Sequence, residues 1–128
     1  MNILLDTAPF LWIALGKPEI SSTARELVTD SDNRVLLSAV SSWEIALKYS
    51  LGKLDLPERP ETLIPAIREA YAIESLPLNE DSTLQVSKLP DLHRDPFDRI
   101  LISQAIAHGL TLLTPDQKIR AYPVRTTW

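Results

Sequence analysis

The chain has 128 residues, of which 45% are hydrophobic and 23% charged, and its formal net charge is −4. This length and composition are typical of one globular domain with a hydrophobic core, spanning residues 1–128. The absence of cysteine excludes disulfides and thiolate metal sites, and two histidines are too few for a zinc site built on imidazoles. The negative net charge disfavours a protein that coats nucleic acid non-specifically. It does not exclude an enzyme that binds the phosphates of its substrate through a metal ion.

The N-terminal segment predicts a buried strand followed by a helix. The apolar run 2–5 is typical of a strand covered on both faces, Asp6 and Thr7 end it, and a helix follows over 9–15, closed by Gly16. This apolar start is not a signal peptide, because it lacks a basic n-region, carries Asp6 in its middle and is too short to span a bilayer. We therefore expect a cytoplasmic protein with no membrane association.

The central part of the chain alternates helical and extended patterns. The predicted elements, in chain order, are a helix capped by Ser21 or Ser22 that runs to about residue 29, a strand at 35–37, a helix over 62–71, an edge strand at 73–76 and a short helix over 81–88.

Between residues 37 and 52 a local motif predicts where a helix begins. Ser41 and Glu44 match a capping box, in which the two side chains satisfy backbone amides at the start of a helix. Gly52 suits the position just after the last turn. The motif therefore predicts a helix that begins near Ser41 and ends near Gly52.

The segment 93–105 combines a helix start with an acid that the start does not need. Asp95 suits an N-cap, Pro96 the first helical position, and Asp98 the third position, where the helix dipole favours negative charge. The predicted helix ends at His108 and Gly109.

The face on which Asp98 lies is unusual for a charged residue. Leu101, Ile102 and Ala105 share that face, so the carboxylate lies on an apolar stripe, while Arg99 and Ser103 are expected on the more polar side. A buried carboxylate has to be paired, hydrogen-bonded or bound to a metal. No obvious set of buried bases is available to neutralise it, so the pattern indicates a cation.

The C-terminal segment completes the fold prediction. Strands are expected at 110–114 and at 124–128, separated by the turn at Pro115 and Asp116. Strands that alternate with helices indicate an α/β protein, with a parallel sheet of about five strands and helices on both faces.

Four acids fall at comparable points of this architecture. Asp6 follows the first strand, Glu44 begins the helix after the second, Asp98 begins the helix before the fourth, and Asp116 lies two residues beyond the fourth. Ligands of open α/β sheets bind outside the carboxyl ends of the strands, so the four can converge there. Each also has a local alternative: Asp6 as a helix cap, Glu44 as a capping-box partner, Asp98 as a first-turn acid and Asp116 as a turn residue.

Converging carboxylates predict a metal site. Without a cation they would repel and retain protons, whereas one or two Mg²⁺ or Mn²⁺ ions would hold them ionised. The chain offers no Ser–His–Asp or Cys–His nucleophile and no glycine-rich phosphate loop, so a metal-activated water is the favoured nucleophile. Thr7 and Thr114 are expected near the acids.

For several other polar residues the sequence gives weaker grounds for a role at this site. Asp95 is explained by its cap alone, and a metal role for it is the less favoured reading. His93 is interpreted as a loop residue, or as a partner of a metal ligand, rather than as a ligand itself. The bases most suited to face phosphate are Lys48, Lys53, Arg94 and Arg99, although surface solvation is the default for each.

Taken together, these motifs resemble those of PIN-domain proteins, and among them most closely the VapC-type toxins of bacterial toxin–antitoxin pairs. The resemblance covers essentially the whole chain in the same order. It is carried by Leu4-Leu5-Asp6-Thr7, Ser41-Ser42-Trp43-Glu44-Ile45-Ala46-Leu47-Lys48, Gly52-Lys53-Leu54, His93-Arg94-Asp95-Pro96-Phe97-Asp98-Arg99 and Leu113-Thr114-Pro115-Asp116.

The resemblance implies a three-layer α/β/α fold and a Mg²⁺- or Mn²⁺-dependent ribonuclease that acts on tRNA or rRNA. It implies that Asp6 and Asp98 are the principal metal ligands and that Glu44 and Asp116 complete the acidic cluster. It also implies a homodimer and inhibition by a VapB-type antitoxin whose C-terminal segment obstructs the site.

Two other functions stay open at this point. One is a PIN-like interaction module, bound by an antitoxin but with weak or no catalysis. The other is a different Asp/Mg²⁺ phosphohydrolase or a phospho-acceptor domain. A haloacid-dehalogenase-type phosphatase needs a second Asp two residues after the first, where this chain has Ala8, and no Asp ends the third strand as a receiver requires.

Overall fold

The computed structural model describes residues 1–128, and its elements follow the predicted alternation. The strands are β1 (Asn2–Leu5), β2 (Arg34–Ser38), β3 (Glu74–Leu76), β4 (Thr111–Leu113) and β5 (Thr126–Thr127). The helices are α1 (Thr7–Ala14), α2 (Ser22–Thr29), α3 (Ala39–Ser50), α4 (Pro60–Tyr71), α5 (Glu80–Gln85), α6 (Pro96–His108) and α7 (Gln117–Arg120). A 3₁₀ turn, Val86–Lys88, follows α5.

All five strands form one parallel sheet in the order β3-β2-β1-β4-β5. The central strand β1 pairs on one side with β2, where Leu4 lies opposite Leu36, and on the other with β4, where Leu4 lies opposite Leu112. The chain order reverses between β1 and β4, and a crevice forms at such a switch point. The predicted parallel sheet is confirmed, and this crevice lies where Asp6 and Asp116 leave their strands.

Two hydrophobic layers cover the sheet, one on each face. Alternate residues of β1 point to opposite layers: Ile3 and Leu5 pack with α1 to α4, and Leu4 packs with α6 and α7. The predicted α/β/α arrangement and the double-sided burial of the strands are therefore confirmed. None of the helices is both long and apolar enough to cross a membrane.

The prediction for the start of α3 is wrong. The helix begins at Ala39, and Ser38 is its N-cap, with its Oγ accepting from the Val40 backbone amide at 3.0 Å. Ser41 and Glu44 therefore lie inside the helix and do not form a capping box. The error has a local cause, because Ser38, at the end of β2, can cap one turn earlier than Ser41.

The prediction that Ser103 lies on a polar side of α6 is also wrong. Leu101, Ile102 and Ala105 are buried as expected, but Ser103 and Gln104 are buried too. Helix α6 packs on the sheet and also against α5, so most of its circumference is covered. Arg99 is half-buried.

At the site, one helix begins earlier than predicted and one short helix was not predicted. Helix α1 begins at Thr7, because Asp6 caps it, so Pro9 lies inside the first turn, where its missing N–H costs nothing. The short helix α7 was not predicted, and Asp116 is its N-cap, accepting from the Lys118 backbone amide at 2.9 Å.

Candidate active site

Four carboxylates from four separate segments line a single cavity at the switch point of the sheet. They are Asp6, Glu44, Asp98 and Asp116, and the cavity has a volume of about 350 Å³. Asp6 follows β1, Glu44 lies on α3, Asp98 in the first turn of α6, and Asp116 at the start of α7. The structure thus brings together the acids that the sequence placed at strand and helix ends.

Asp6 is the most buried of these acids after Glu44, with 7% of its surface exposed. Its Oδ1 accepts from the Thr7 backbone amide at 2.8 Å and its Oδ2 from the Thr114 hydroxyl at 2.9 Å. Burial raises the pKa of Asp6 to about 6, and the negative charges of Asp98 and Glu44 add to that rise against the two hydrogen bonds. The helix-cap alternative is therefore real, but the cap does not neutralise the charge.

Glu44 is held by two neighbouring side chains, Thr7 and Lys48, and Thr7 is in turn bonded to Ser41. The Thr7 hydroxyl lies 2.8 Å from Glu44 Oε1 and 2.9 Å from Ser41 Oγ. Thr7 has one hydroxyl proton and an ionised Glu44 can only accept, so Thr7 donates to Glu44 and Ser41 donates to Thr7. Lys48 Nζ donates to Glu44 Oε2, and this bond raises the pKa of Lys48.

Asp98 lies at the cavity wall beside a histidine. Its Oδ2 is 2.8 Å from His93 Nε2, and the side chains of both residues are 15% exposed. Burial raises the pKa of Asp98, and the negative charges of Asp95 and Glu44 raise it further against the effect of His93. Two acids of one cavity therefore resist ionisation in the absence of a cation.

Thr114 connects the remaining acid to Asp6. It is fully buried, and its hydroxyl donates to Asp6 Oδ2 and accepts from the Asp116 backbone amide at 3.1 Å. Asp116 itself caps α7 with Oδ1 and lines the cavity. The interpretation of Asp116 as a turn residue thus accounts for Oδ1, which caps the helix, but not for the position of the side chain at the cavity.

Asp95 acts as the predicted N-cap of α6. Its Oδ1 accepts from the Phe97 and Asp98 backbone amides at 2.9 and 3.3 Å. It does not line the cavity, although one ligand atom each from His93, Asp95 and Asp98 lie within 4.8 Å of one another. Asp95 therefore borders the site and has a structural role of its own.

The four candidate bases divide into two pairs. Lys48 and Lys53 line the cavity with the acids. Arg94 lines a separate, shallow depression together with His93 and Lys118. Arg99 points away from the cavity, donating to the carbonyls of Pro90 and Val86, so it anchors a loop and does not face the site.

One contact at the site was not predicted from the sequence, and another was expected only as one of two alternatives. Ser41 was assigned to a capping box, yet its hydroxyl contacts Thr7, 34 residues earlier in the chain. His93 was interpreted as a loop residue or as a partner of a metal ligand, and its bond to Asp98 agrees with the second alternative, although no local sequence pattern specifies that bond. The five-residue offset between His93 and Asp98 spans a loop and a helix cap, and its geometry becomes visible only in three dimensions.

The donor set fits a divalent cation. All four acids offer carboxylate oxygens, which hard cations such as Mg²⁺ and Mn²⁺ prefer. Lys48 pairs with Glu44 alone, so the charges of Asp6 and Asp98 have no basic partner apart from His93. Carboxylates with raised pKa values around one cavity are what a cation would stabilise in their ionised form.

Comparison with protein-family models identifies one family over nearly the whole chain. Residues 3–124 match the model of the PIN domain. This range includes all four acids of the cavity.

The chain is also similar in sequence to individual proteins named as VapC ribonucleases. The chain is 25% identical to Ribonuclease VapC22 of Mycobacterium tuberculosis over 126 residues, covering 94% of this chain and 92% of that protein. It is 51% identical to Ribonuclease VapC16 of the same organism over 41 residues, which is 32% of this chain and only 29% of that protein.

The fold also matches a solved structure. The toxin–antitoxin complex VapBC2 from Rickettsia felis, bound to a DNA fragment from its promoter, contains a chain that superposes with a TM-score of 0.76 at 19% identity. The match covers 99% of this chain and 98% of that one. At this identity the likeness concerns the fold.

Proposed function

This chain belongs to the PIN domain family, and from that membership we propose that it is a divalent-metal-dependent endoribonuclease that serves as the toxin of a type II toxin–antitoxin pair. The observation that carries the proposal is the convergence of Asp6, Glu44, Asp98 and Asp116 on one cavity. The similarity to two proteins named as ribonucleases supports the choice of RNA as substrate. We place its action in the cytoplasm, on tRNA or rRNA.

We assign the metal to the same four residues. Asp6 and Asp98 would be the principal ligands of Mg²⁺ or Mn²⁺, and Glu44 and Asp116 would complete the set. A divalent ion bound there supplies charge neutralisation of the phosphodiester and lowers the pKa of a bound water.

The surrounding side chains would fix these ligands and meet the substrate. The Thr7 hydroxyl donates a hydrogen bond to Glu44, and the Thr114 hydroxyl donates one to Asp6. These hydrogen bonds keep the two carboxylates from rotating towards solvent. Lys48 and Lys53 line the same cavity, where an ammonium group can contact a phosphate of the RNA backbone. No serine, cysteine or histidine lines the cavity, and the hydroxyl of Thr7 is bonded to Glu44. We therefore assign water as the attacking group and hydrolysis of a P–O bond as the reaction.

The partners we propose are a VapB-type antitoxin and a second copy of this chain. Trp43 and Leu47 on α3 and Leu51 at its C-cap lie four residues apart and are 59%, 37% and 59% exposed. Such spacing aligns them on one face of the helix, and an aligned exposed apolar surface marks a protein contact. The likeness of the fold to a chain of the VapBC2 complex supports the antitoxin.

The proposed activity is tested by cleavage of RNA with a matched pair of variants. We expect the purified chain to cut total bacterial RNA into discrete fragments with Mn²⁺, and not with EDTA. Asp98→Asn should abolish cleavage, because it removes the charge of a proposed ligand. Asp81→Asn, on the exposed start of α5 and outside the cavity, should cleave like the wild type.

The fragments are to be mapped by sequencing their 5′ ends. Equal cleavage by the Asp98→Asn variant would remove Asp98 from the mechanism. If the wild type cuts no RNA with Mn²⁺ or with Mg²⁺, an interaction module that is bound by an antitoxin but has no catalysis would describe the protein better.

A further inference from the structure

The imidazole of His93 has one hydrogen-bond partner in the structure, and that partner is a proposed metal ligand. Nε2 lies 2.8 Å from Asp98 Oδ2. An ionised carboxylate can only accept, so Nε2 carries the proton in this contact. No protein group donates to the other oxygen of Asp98, Oδ1, while Asp98 lines the cavity.

The loop that carries His93 is itself tied down by the residue after Asp98. Arg99 donates through Nη1 to the Pro90 carbonyl at 2.9 Å and to the Tyr122 hydroxyl at 3.0 Å, and through Nη2 to the Val86 carbonyl at 3.3 Å. Its guanidinium also lies 5.9 Å from the centre of the Tyr122 ring. The same helix turn therefore supplies both Asp98 and the clamp on the loop that approaches it.

Tyr122 completes the connection to His93. Its hydroxyl donates to the His93 backbone carbonyl at 3.4 Å while accepting from Arg99. Tyr122 is 3% exposed, so this linkage lies within the hydrophobic layer formed with α6. A buried hydroxyl that bonds both a loop and a helix restricts the loop. If the loop moved, the buried groups would lose these hydrogen bonds, and no water would replace them.

From these contacts we propose that His93 is a positioning residue: it holds Oδ2 of Asp98 and leaves Oδ1 without a protein donor, so that Oδ1 would be the oxygen available to a cation, with Arg99 and Tyr122 fixing the His93 loop. This goes beyond the proposed function but rests on its assignment of Asp98 as a ligand. A carboxylate with one oxygen fixed has less rotational freedom to lose when the other binds, so the site is preorganised.

The role explains why His93 and Arg99 flank the acid in His93-Arg94-Asp95-Pro96-Phe97-Asp98-Arg99. Asp95 caps the helix and Arg99 clamps the loop, so each contributes to the place of Asp98 without entering the cavity. His93 is then neither a loop residue without function nor a ligand in its own right.

The test compares His93→Ala with His93→Gln by Mn²⁺ titration calorimetry, which does not require RNA. Removing a partner of a metal ligand commonly weakens metal binding about 10- to 100-fold. We expect such a loss in His93→Ala, whereas His93→Gln, whose amide can still donate, should stay within about threefold of the wild type. Tyr122→Phe should weaken binding less than His93→Ala, and His108→Ala, at the exposed end of α6, should not change it.

Two further readouts separate this proposal from a structural role and from the proposed function. Melting in EDTA should leave His93→Ala within a few degrees of the wild type. Nitrogen NMR of the metal-free protein should show Nε2 of His93 protonated, and the proton should persist after Mg²⁺ is added.

The proposal is overturned by unchanged Mn²⁺ affinity in His93→Ala, by equal losses in His93→Ala and His93→Gln, or by the Nδ1–H tautomer. Loss of the Nε2 proton on adding Mg²⁺ would instead make His93 a ligand and also overturn it. A chain that binds Mn²⁺ as expected but cuts no RNA contradicts the proposed function alone. A wild type that binds no metal overturns both.

Discussion

Asp6 is the residue at which folding and the proposed chemistry make opposite demands. Folding removes its carboxylate from water and places it beside other acids, and these effects together raise its pKa to about 6 from 3.8. A cation reverses the balance, because it attracts the ionised form. The metal-free protein is thus destabilised at neutral pH by the same group that binding would use.

This conflict predicts a pH-dependent stability that Asp6→Asn should remove. The folded state keeps the Asp6 proton up to about pH 6 and the unfolded chain releases it near 3.8. Between these values the folded state binds more protons, so stability falls as pH rises. The two-unit rise corresponds to about 3 kcal/mol.

The measurement is urea unfolding in EDTA at pH 4, 5, 6 and 7. Because the unfolded chain is already partly ionised at pH 4, the free-energy difference between wild type and Asp6→Asn should change by about 2 kcal/mol from pH 4 to pH 7, with the wild type losing stability relative to the variant. Comparing differences across pH cancels the altered hydrogen bonds with Thr7 and Thr114. A difference that does not vary with pH would mean that Asp6 is ionised normally.

Among single residues, local rules predicted the caps and long-range contacts escaped prediction. Asp95 and Ser21 cap their helices as their sequence positions indicated. Ser41 did not, because Ser38 at the end of β2 caps that helix instead; the contact of the Ser41 hydroxyl with Thr7 of another helix escaped prediction because a sequence window contains only one of those partners. The placement of His93 against Asp98 depends on a loop clamp by Arg99, for the same reason.

At the scale of elements, α6 is the segment on which most of the site depends. Asp95 satisfies two amides of its first turn, Pro96 takes the position that needs no amide, and Gly109 ends the helix in the left-handed conformation. Because Asp98 lies in that first turn, any fraying there would displace it.

The cap therefore has a measurable effect on stability. Asp95→Ala should lower the free energy of unfolding by about 1 kcal/mol, the usual value of an N-cap. Asp95→Ser should cost only a few tenths, because a hydroxyl also accepts from these amides. Thermal or urea unfolding in EDTA checks both.

Equal stability of Asp95→Ala and the wild type would show that the first turn is held by other contacts. A large loss in Asp95→Ser would show that the charge of Asp95, rather than its cap, matters to the fold.

The predictions of secondary structure match the structure where an apolar run and a capping signal indicate the same element. Strands β1 and β2 and helices α2 and α6 appear close to their predicted bounds, because each has a strong pattern and an end signal. Helix α7 was missed, since its four residues are too few to show periodicity. The fifth strand is shorter than predicted and pairs only through Thr126–Thr127.

At the scale of the whole molecule, the sheet order explains why distant acids meet. The reversal between β1 and β4 leaves a crevice at their carboxyl ends, and four helices, α1, α3, α6 and α7, begin or pass beside it. The alternation of strands and helices predicts such a crevice. Which oxygen of each acid faces it depends on side-chain contacts across the chain, such as that of Thr114 with Asp6.

The apolar face of α3 predicts self-association. We expect the wild type to elute as a dimer and the double variant Leu47→Lys/Leu51→Lys as a monomer, because two charges would be buried in the contact. Size-exclusion chromatography with light scattering measures this, and circular dichroism checks the fold.

Leu84→Lys is the matched control, since Leu84 is 62% exposed on α5 and lies off that face. It should keep the dimer. If the double variant and the control have the same mass as the wild type, the face of α3 is not the dimer contact.

The central claim is that the four carboxylates share a divalent cation, and thermal melting with Mn²⁺ tests it most directly. At a free concentration a hundred times Kd, binding to the folded state alone adds about 2.7 kcal/mol, which should raise Tm of the wild type by roughly 10 °C. Asp6→Asn and Asp98→Asn should lose most of that rise, and Asp81→Asn should keep it. Equal rises in all four proteins, or none in the wild type, would contradict the claim.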